Sequence, residues 1–518
     1  MIAGTAILTL MVGFACTDLD EQLPSELTAD QFGQSETEIL SSLGEAYTIL
    51  SEGGSWGKHN GLWSIHEVSS DEAVIPQRGQ DWFDGGLWLR MHRHTFTIDE
   101  GAINGAWNLL FRGVNTTNRL IFTLESLVES GGLNQADADD FIGEMRALRA
   151  FYYFWLLDTF GNVPIIDDFE TAPANPSNNS NFQQGRTELF NFVESELLAT
   201  ADLVSDDVRG SFGRLNKFAV HALLGKLYLN AEVYTGTPRY QDAIDQFDIV
   251  IDSGEFSLMP GYFSNFAQEN SNSTENIFVI PYDRDFLPGF ELDQMTLHYG
   301  QQFEFNLQQQ PWNGYASLQA FYESFDEGDV RQDGMLSGPR FDPNGDPILD
   351  PDLLGVPADN DPALVLTPEI NEHSPNACRQ CGVRFAKFEI SAGDDGAAKN
   401  NDFPLLRYAD VLLSKAEALW RSNQSGALEL VNEIRNRADA EPFDALTREN
   451  LLAERGRELY LEMWRRQDLI RFEGTQGGAT AFNDPWEFKD VSDPTANVFP
   501  IPREQIDGNQ NLTQNPGF

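Results

Sequence analysis

Apolar residues recur through much of this chain at three- and four-residue steps. Phe141, Met145, Leu148, Tyr152 and Trp155 form one such stripe, the spacing that lines a single face of an α-helix. Gly161-Asn162-Val163-Pro164 follows, a Gly and Pro run that ends a helix. The same period predicts helices over 101–129, 186–203, 214–234 and 238–253, and in the last quarter over 405–423, 430–438 and 451–473. Between these blocks lies a stretch of another kind. Residues 256–400 are dense in Pro, Gly, Asn, Gln and aromatics with little helical period, the mark of a functional, irregular segment carrying short strands. Within it, Pro343-Asn344-Gly345-Asp346 predicts a tight hairpin with Asn-Gly at two positions of positive φ. The chain closes on an extended Pro- and Asn-rich tail, VFPIPREQIDGNQNLTQNPGF at 498–518.

Two pairs of predicted helices resemble tetratricopeptide hairpins. In the first, Gly225 and Tyr228 take the small and aromatic positions of one helix and Ala243 and Phe247 those of the next; in the 405–438 pair, Ala416 and Ala427 play similar roles, small residues being needed where paired helices approach closely. Insertions separate the hairpins, so no regular array of about 34-residue repeats is expected. Glu454, Arg455, Arg457, Glu458, Glu462, Arg465 and Arg466 are expected on one helix, with Glu462 and Arg466 four residues apart, and are read as structural ion pairs and not as an active site.

Charge narrows the function. The chain has 518 residues, 34 Lys and Arg against 81 Asp and Glu, and a net charge of −47. That excess excludes a nucleic-acid binder, which needs a basic footprint. It also disfavours direct adhesion to an anionic membrane, so attachment must be covalent or through a partner. The uncharged start, MIAGTAILTLMVGFA, is shorter than the roughly 20 residues of a membrane span and suits a signal peptide over 1–15. It ends at Cys16, with the small Ala15 before it, as a lipoprotein signal requires. Gly13 replaces the usual Leu, and a basic leader segment is missing. Cys378 and Cys381 are the other cysteines; a zinc site would need four ligands and a redox motif a βαβ setting, so a local disulfide is expected.

Several segments in order carry a family resemblance: GEMRALRAFYYFWLLDTFGNVPII at 143–166, GRLNKFAVHALLGKLYLNAEVY at 213–234, SGEFSLMPGYFSNF at 253–266, and the C-terminal blocks, including LLAERGRELYLEMWRRQDLIRFE at 451–473. Together with Cys16 they resemble the SusD/RagB family of outer-membrane nutrient-binding lipoproteins. The resemblance implies a mostly α fold, with tetratricopeptide-like hairpins and a loop-rich subdomain of short strands. It implies one domain over 16–518, with a helical scaffold at about 35–255 and 401–472, a ligand-side segment at about 256–400 and a tail at 473–518. It further implies a lipid anchor at Cys16 holding the protein at the outer-membrane surface. The implied partner is a SusC-like TonB-dependent β-barrel transporter, and the implied role is capture and delivery of oligo- or polysaccharide, without catalysis or a cofactor.

The ligand surface is sought among exposed aromatics. In IPQRGQDWFDGGLW at 75–88, Trp82 and Trp88 sit among glycines and charges, the setting of an exposed loop; Trp312, in QQQPWNGYAS, has the same surroundings. A flat indole stacks on the apolar face of a sugar while carboxylates, amides and Arg bond its hydroxyls. Trp82 and Trp312 lead the candidates, followed by Trp88 and Trp56, with Arg78, Asp81 and Asn313 added from adjacency. Trp63 and Trp107 are read as core. The loop resembles family members that bind β-glucans such as laminarin. Asp342, Asn344 and Asp346 alternate as calcium ligands do, but the Gly is misplaced for an EF-hand and a plain hairpin is preferred. Two other readings stand beside this one: a peptide-binding relative of RagB or helical-repeat adaptor, and a glycoside hydrolase with two carboxylates about 5–9 Å apart. No His-Glu-x-x-His or P-loop pattern supports an enzyme.

Overall fold

The computed structural model describes residues 36–350, 363–393, 398–473 and 478–518. Cys16 and the 1–15 segment lie outside the described residues. The helical stripe at 141–155 falls within a helix over Gln135–Thr159 that packs on Gly101–Glu129. Gly113 makes that approach possible: a Cβ there would meet the Tyr152 ring at 2.5 Å. From Gly143 onward almost every residue of Gln135–Thr159 is buried, so it is a central helix and not an amphipathic one. It ends where expected. Gly161 takes φ +76°, and its amide donates to the carbonyls of Leu156 and Leu157.

The other predicted helices occur with shifted ends: Phe182–Thr200, Lys217–Leu229, Tyr240–Asp252, Tyr408–Arg421 and Ala427–Arg437. Lys217–Leu229 and Tyr240–Asp252 pack as the expected hairpin. A Cβ on Gly225 would lie 2.3 Å from the Phe247 ring, which explains the small residue there. Residues 405–407 are not helical; they belong to a strand, Phe403–Arg407, paired antiparallel with Asn276–Ile280. This strand pair joins the irregular segment to the C-terminal helices.

The helix expected over 451–473 is two helices, Arg448–Leu459 and Arg465–Arg471. Between them Leu461 and Met463 take φ +63° and +68°. The Leu461 amide donates to Glu72 at 3.2 Å and the Met463 amide to Glu67 at 2.7 Å, so buried carboxylates far away in sequence hold the break. Glu462 is therefore not an i,i+4 partner of Arg466. It accepts from Arg407 at 2.7 and 2.8 Å and from Lys387 at 2.6 Å, while Arg466 lies over the Phe482 and Phe499 rings. The charges are structural, as expected, but they link separate elements. Arg331 bridges Asp329, Glu454 and Glu458; Arg407 bridges Glu275, Glu458 and Glu462. A second cluster joins Lys226 and Arg455 to Asp410, and Arg471 to Glu417 and Asp468. The tail also packs inward, with Phe499 and Ile501 buried and the Asn515 amide bonded to the carbonyls of Phe160 and Phe499.

The 256–400 segment carries short strands, as read. At the Asp342–Asp346 turn, Gly345 alone takes positive φ (+87°), because Pro343 at the first corner fixes a negative φ. Asp342 Oδ1 accepts the amides of Asn344 and Asp346, so this carboxylate closes a hairpin. Among the described residues no group of three His, Cys, Asp or Glu side chains could hold a metal ion.

Candidate functional site

One short strand pair builds the site. Ala73–Val74 pairs antiparallel with Ala316–Ser317, in the register Ala73↔Ser317 and Val74↔Ala316. The chain leaving Val74 and the chain arriving at Ala316 are thereby held side by side. These are the 75–88 loop and the Trp312 loop. The Trp82 Nε1–H donates to the Trp312 carbonyl at 2.8 Å. The Trp82 ring lies so close over Gly314 that a Cβ there would meet it at 2.4 Å. Trp82 itself takes φ +58°, and Asp84, Gly85 and Gly86 follow with φ of +41°, +63° and +81°. A Trp in the left-handed region is held there by its surroundings, and such strain gathers at functional sites.

At the centre of this surface is His59, a residue that sequence reasoning missed. Its ring centroid lies 5.1 Å from Trp82, 5.3 Å from Trp88, 6.3 Å from Trp312 and 6.0 Å from Tyr315. Its Nδ1 pairs with the Tyr315 hydroxyl at 3.0 Å, and that hydroxyl is 2.7 Å from Ser64 Oγ. Burial pushes its pKa down to about 4, against a smaller upward pull from Asp84. His59 is therefore neutral at physiological pH, and Nδ1 is fixed by the tyrosine. The only sequence signal was a lone His in Gly57-Lys58-His59-Asn60-Gly61, between two tryptophans. Trp82, Trp312, His59 and Asp81 are half-buried, and Asp84 and Phe83 are exposed. Burial also pushes the Asp81 carboxyl up to about 6, with Arg78 opposing. Two partly exposed indoles around a neutral imidazole, with carboxylates at the rim, form a platform able to stack on a flat apolar face and bond polar groups at its edge.

The remaining sequence candidates lie beneath this surface or away from it. Trp56 is 0% exposed and packs on Phe151 and Trp155 in the core, so it is removed from the ligand set. Trp88 is 1% exposed; it backs His59 and donates to Asp84 at 2.8 Å. Asn313 is buried, its amide bonded to the Arg379 carbonyl at 3.1 Å and accepting from Arg384 at 2.7 Å. Arg78 is also fully buried and turns inward, donating to backbone carbonyls. Adjacency in sequence misled for these two because their polar atoms are consumed in tying loops together. Cys378 and Cys381 are bonded as a disulfide. Gly53-Gly54-Ser55-Trp56-Gly57 has the spacing of a hydrolase nucleophile motif, but Ser55 is fully buried, away from any surface a substrate could reach. A groove of about 890 Å³ beside Tyr240 and Trp420 belongs to the helical hairpins and shares no residue with the aromatic surface.

The sequence model of the SusD family matches residues 371–518, and that of a family described as starch-binding associating with outer membrane matches residues 19–229. Starch-binding protein SusD of Bacteroides thetaiotaomicron is 27% identical over 432 residues, 76% of this chain and 75% of that protein. SusD-like protein P2 of Formosa agariphila is 22% identical over 543 residues, 99% of each chain. Among solved structures, a SusD superfamily protein from Parabacteroides distasonis matches with TM-score 0.74 at 21% identity, covering 95% of this chain and 100% of its own. Surface glycan-binding protein A from Bacteroides thetaiotaomicron, in complex with laminarihexaose, matches with TM-score 0.72 at 22% identity over 93% of this chain and 99% of its own.

Proposed function

Since the chain is a SusD-like family member, we propose that it is a cell-surface glycan-binding lipoprotein. It captures oligo- or polysaccharide and passes it to a SusC-like TonB-dependent transporter, without a catalytic step of its own. The observation that carries this reading is the meeting of Trp82 and Trp312 around neutral His59, from loops more than 200 positions apart in sequence. Their indole faces stack on sugar rings. Asp81, Asp84 and the free edge of His59 bond the hydroxyls. Two flat, half-buried rings suit a glycan better than a peptide, which would draw on a sheet edge or a deep apolar groove. The laminarihexaose held by surface glycan-binding protein A makes a β-glucan the first ligand to test. Lipidation at Cys16 places the protein at the outer membrane, and the shallow site gives modest affinity that allows release.

Affinity electrophoresis against laminarin, starch and other polysaccharides tests the reading. Retarded migration on at least one glycan, abolished by Trp82→Ala together with Trp312→Ala, is expected. No retardation on any glycan, with binding of peptides instead, would favour the RagB-like alternative. Release of reducing sugar by the purified protein would make it an enzyme.

A further inference from the structure

The disulfide loop and Arg78 contribute no atom to the aromatic surface, yet they contact both of its halves. The Cys378–Cys381 bond holds Cα atoms 5.2 Å apart and closes a four-residue loop. The carbonyls of that loop converge on two buried guanidinium groups. Arg78 donates to Cys378 O at 3.3 Å and Cys381 O at 3.2 Å. Arg384 donates to the carbonyls of Cys381 at 3.0 Å and Arg379 at 2.9 Å, and also to that of Gly382. The other donors of Arg78 reach Asn313 O at 2.7 Å, Gly314 O at 3.2 Å and Pro76 O at 3.4 Å. One side chain thus spans three segments: its own loop, which carries Trp82; the loop that carries Trp312; and the disulfide loop. The backbone adds to the tie, with the Gly79 amide donating to Pro375 O at 2.9 Å and the Ala377 amide to Gln77 O at 3.0 Å.

A guanidinium presents five N–H donors in a rigid plane, so carbonyls on several sides fix its position and, through it, one another. We propose that Arg78, seated in the carbonyl cage of the Cys378–Cys381 loop, is a positioning residue that sets the spacing of the Trp82 and Trp312 rings and thereby the glycan length the surface prefers. The inference rests on the reading of those two rings as the ligand platform. A sugar chain that reaches both rings gains from both only when their separation is fixed before it binds. A sugar that reaches one ring gains nothing from the brace.

Three variants test this. Arg78→Met removes the donors at similar length, Arg78→Lys keeps the charge and three donors, and Cys378→Ser with Cys381→Ser opens the loop while leaving Arg78 in place. Amide hydrogen exchange is followed by mass spectrometry over 77–82 and 311–315. Affinities for laminaribiose and laminarihexaose are measured by calorimetry. Exchange in both segments is expected to accelerate in Arg78→Met and in the double Cys variant, with Arg78→Lys between these and wild type. Hexasaccharide affinity is expected to fall about tenfold, the size of losing one stacked ring, while disaccharide affinity holds. Wild-type exchange in both segments in the Met and double Cys variants overturns the inference whatever the sugars do, and so does an equal loss for both sugars. If the wild-type protein binds neither sugar, the β-glucan ligand falls, the short and long oligosaccharides of whichever polysaccharide retards the protein take their place, and exchange decides whether Arg78 holds the two loops together. The double Cys variant keeps the test open should Arg78→Met fail to fold.

Discussion

Gly314→Ala is the most informative single change in the aromatic surface. A Cβ at Gly314 would stand 2.4–2.7 Å from three atoms of the Trp82 ring, where ordinary contact begins at 3.4 Å, so the ring must retreat by about 1 Å. Gly314 does not use a positive φ, so Ala introduces no backbone strain there. Trp82 cannot retreat freely, because its Nε1–H is held by the Trp312 carbonyl and the His59 ring stands perpendicular to it with centroids 5.1 Å apart. Overpacking a well-filled site costs about 1–3 kcal/mol, and the half-exposed ring places this change at the low end. For 518 residues the unfolding entropy is of order 1 kcal/mol/K, so the thermal midpoint should drop by only about 1–2 °C. Binding should suffer more. A nucleobase stacked on an aromatic side chain gains about 1–3 kcal/mol; taking the lower part of that range for a sugar ring, loss of alignment should weaken glycan binding about tenfold. Calorimetric titration of wild type and variant, with differential scanning fluorimetry as the stability control, measures both. Unchanged affinity in a folded Gly314→Ala protein would refute the reasoning, because the ring would have moved without consequence.

Other consequences follow from the buried charges. His59 has a pKa lowered to about 4 by burial and Asp81 one raised to about 6, so glycan affinity should be flat between about pH 7 and 8, change as the Asp81 carboxyl takes up its proton near pH 6, and fall as His59 protonates near pH 4, seen by titration across pH of wild type and Asp81→Asn. Glu67 is pushed up to about 7, and Glu72 is also raised, mainly by burial. A carboxyl whose folded pKa is raised favours folding fully below about pH 4.5, and that contribution is lost as pH rises through about 7. The difference in thermal midpoint between Glu67→Gln and wild type should therefore move in the variant's favour from pH 6 to pH 8, because only the wild type loses this contribution over that range. Glu458→Gln strips one charge from a centre shared by Arg331, Arg407 and Arg437, and should cost about 3–5 kcal/mol by leaving buried cations unpaired, read by urea denaturation.

Local rules made some features legible in the sequence and hid others. The 141–155 stripe and its Gly161 stop could be read because helical period and a left-handed cap are properties of neighbouring residues. The break at 460–464 could not, because Leu461 and Met463 are held in positive φ by carboxylates nearly four hundred positions earlier. In the same way, glycines beside Trp82 and Trp312 marked both loops, but their meeting depends on a two-residue strand pair. Arg78 and Asn313 looked like surface donors beside those tryptophans, whereas long-range carbonyls turn them inward. His59 carried no pattern of its own; only the assembled rings around it reveal its place.

The claim that this aromatic surface captures glycan is tested most directly by calorimetric titration of laminarihexaose into wild type and into the Trp82→Ala/Trp312→Ala double variant. Saturable binding in the wild type, reduced at least about a hundredfold in a variant that still unfolds in one cooperative transition, is the result predicted from two stacked rings. Equal affinity in the two proteins would contradict the claim and move the ligand elsewhere on the molecule.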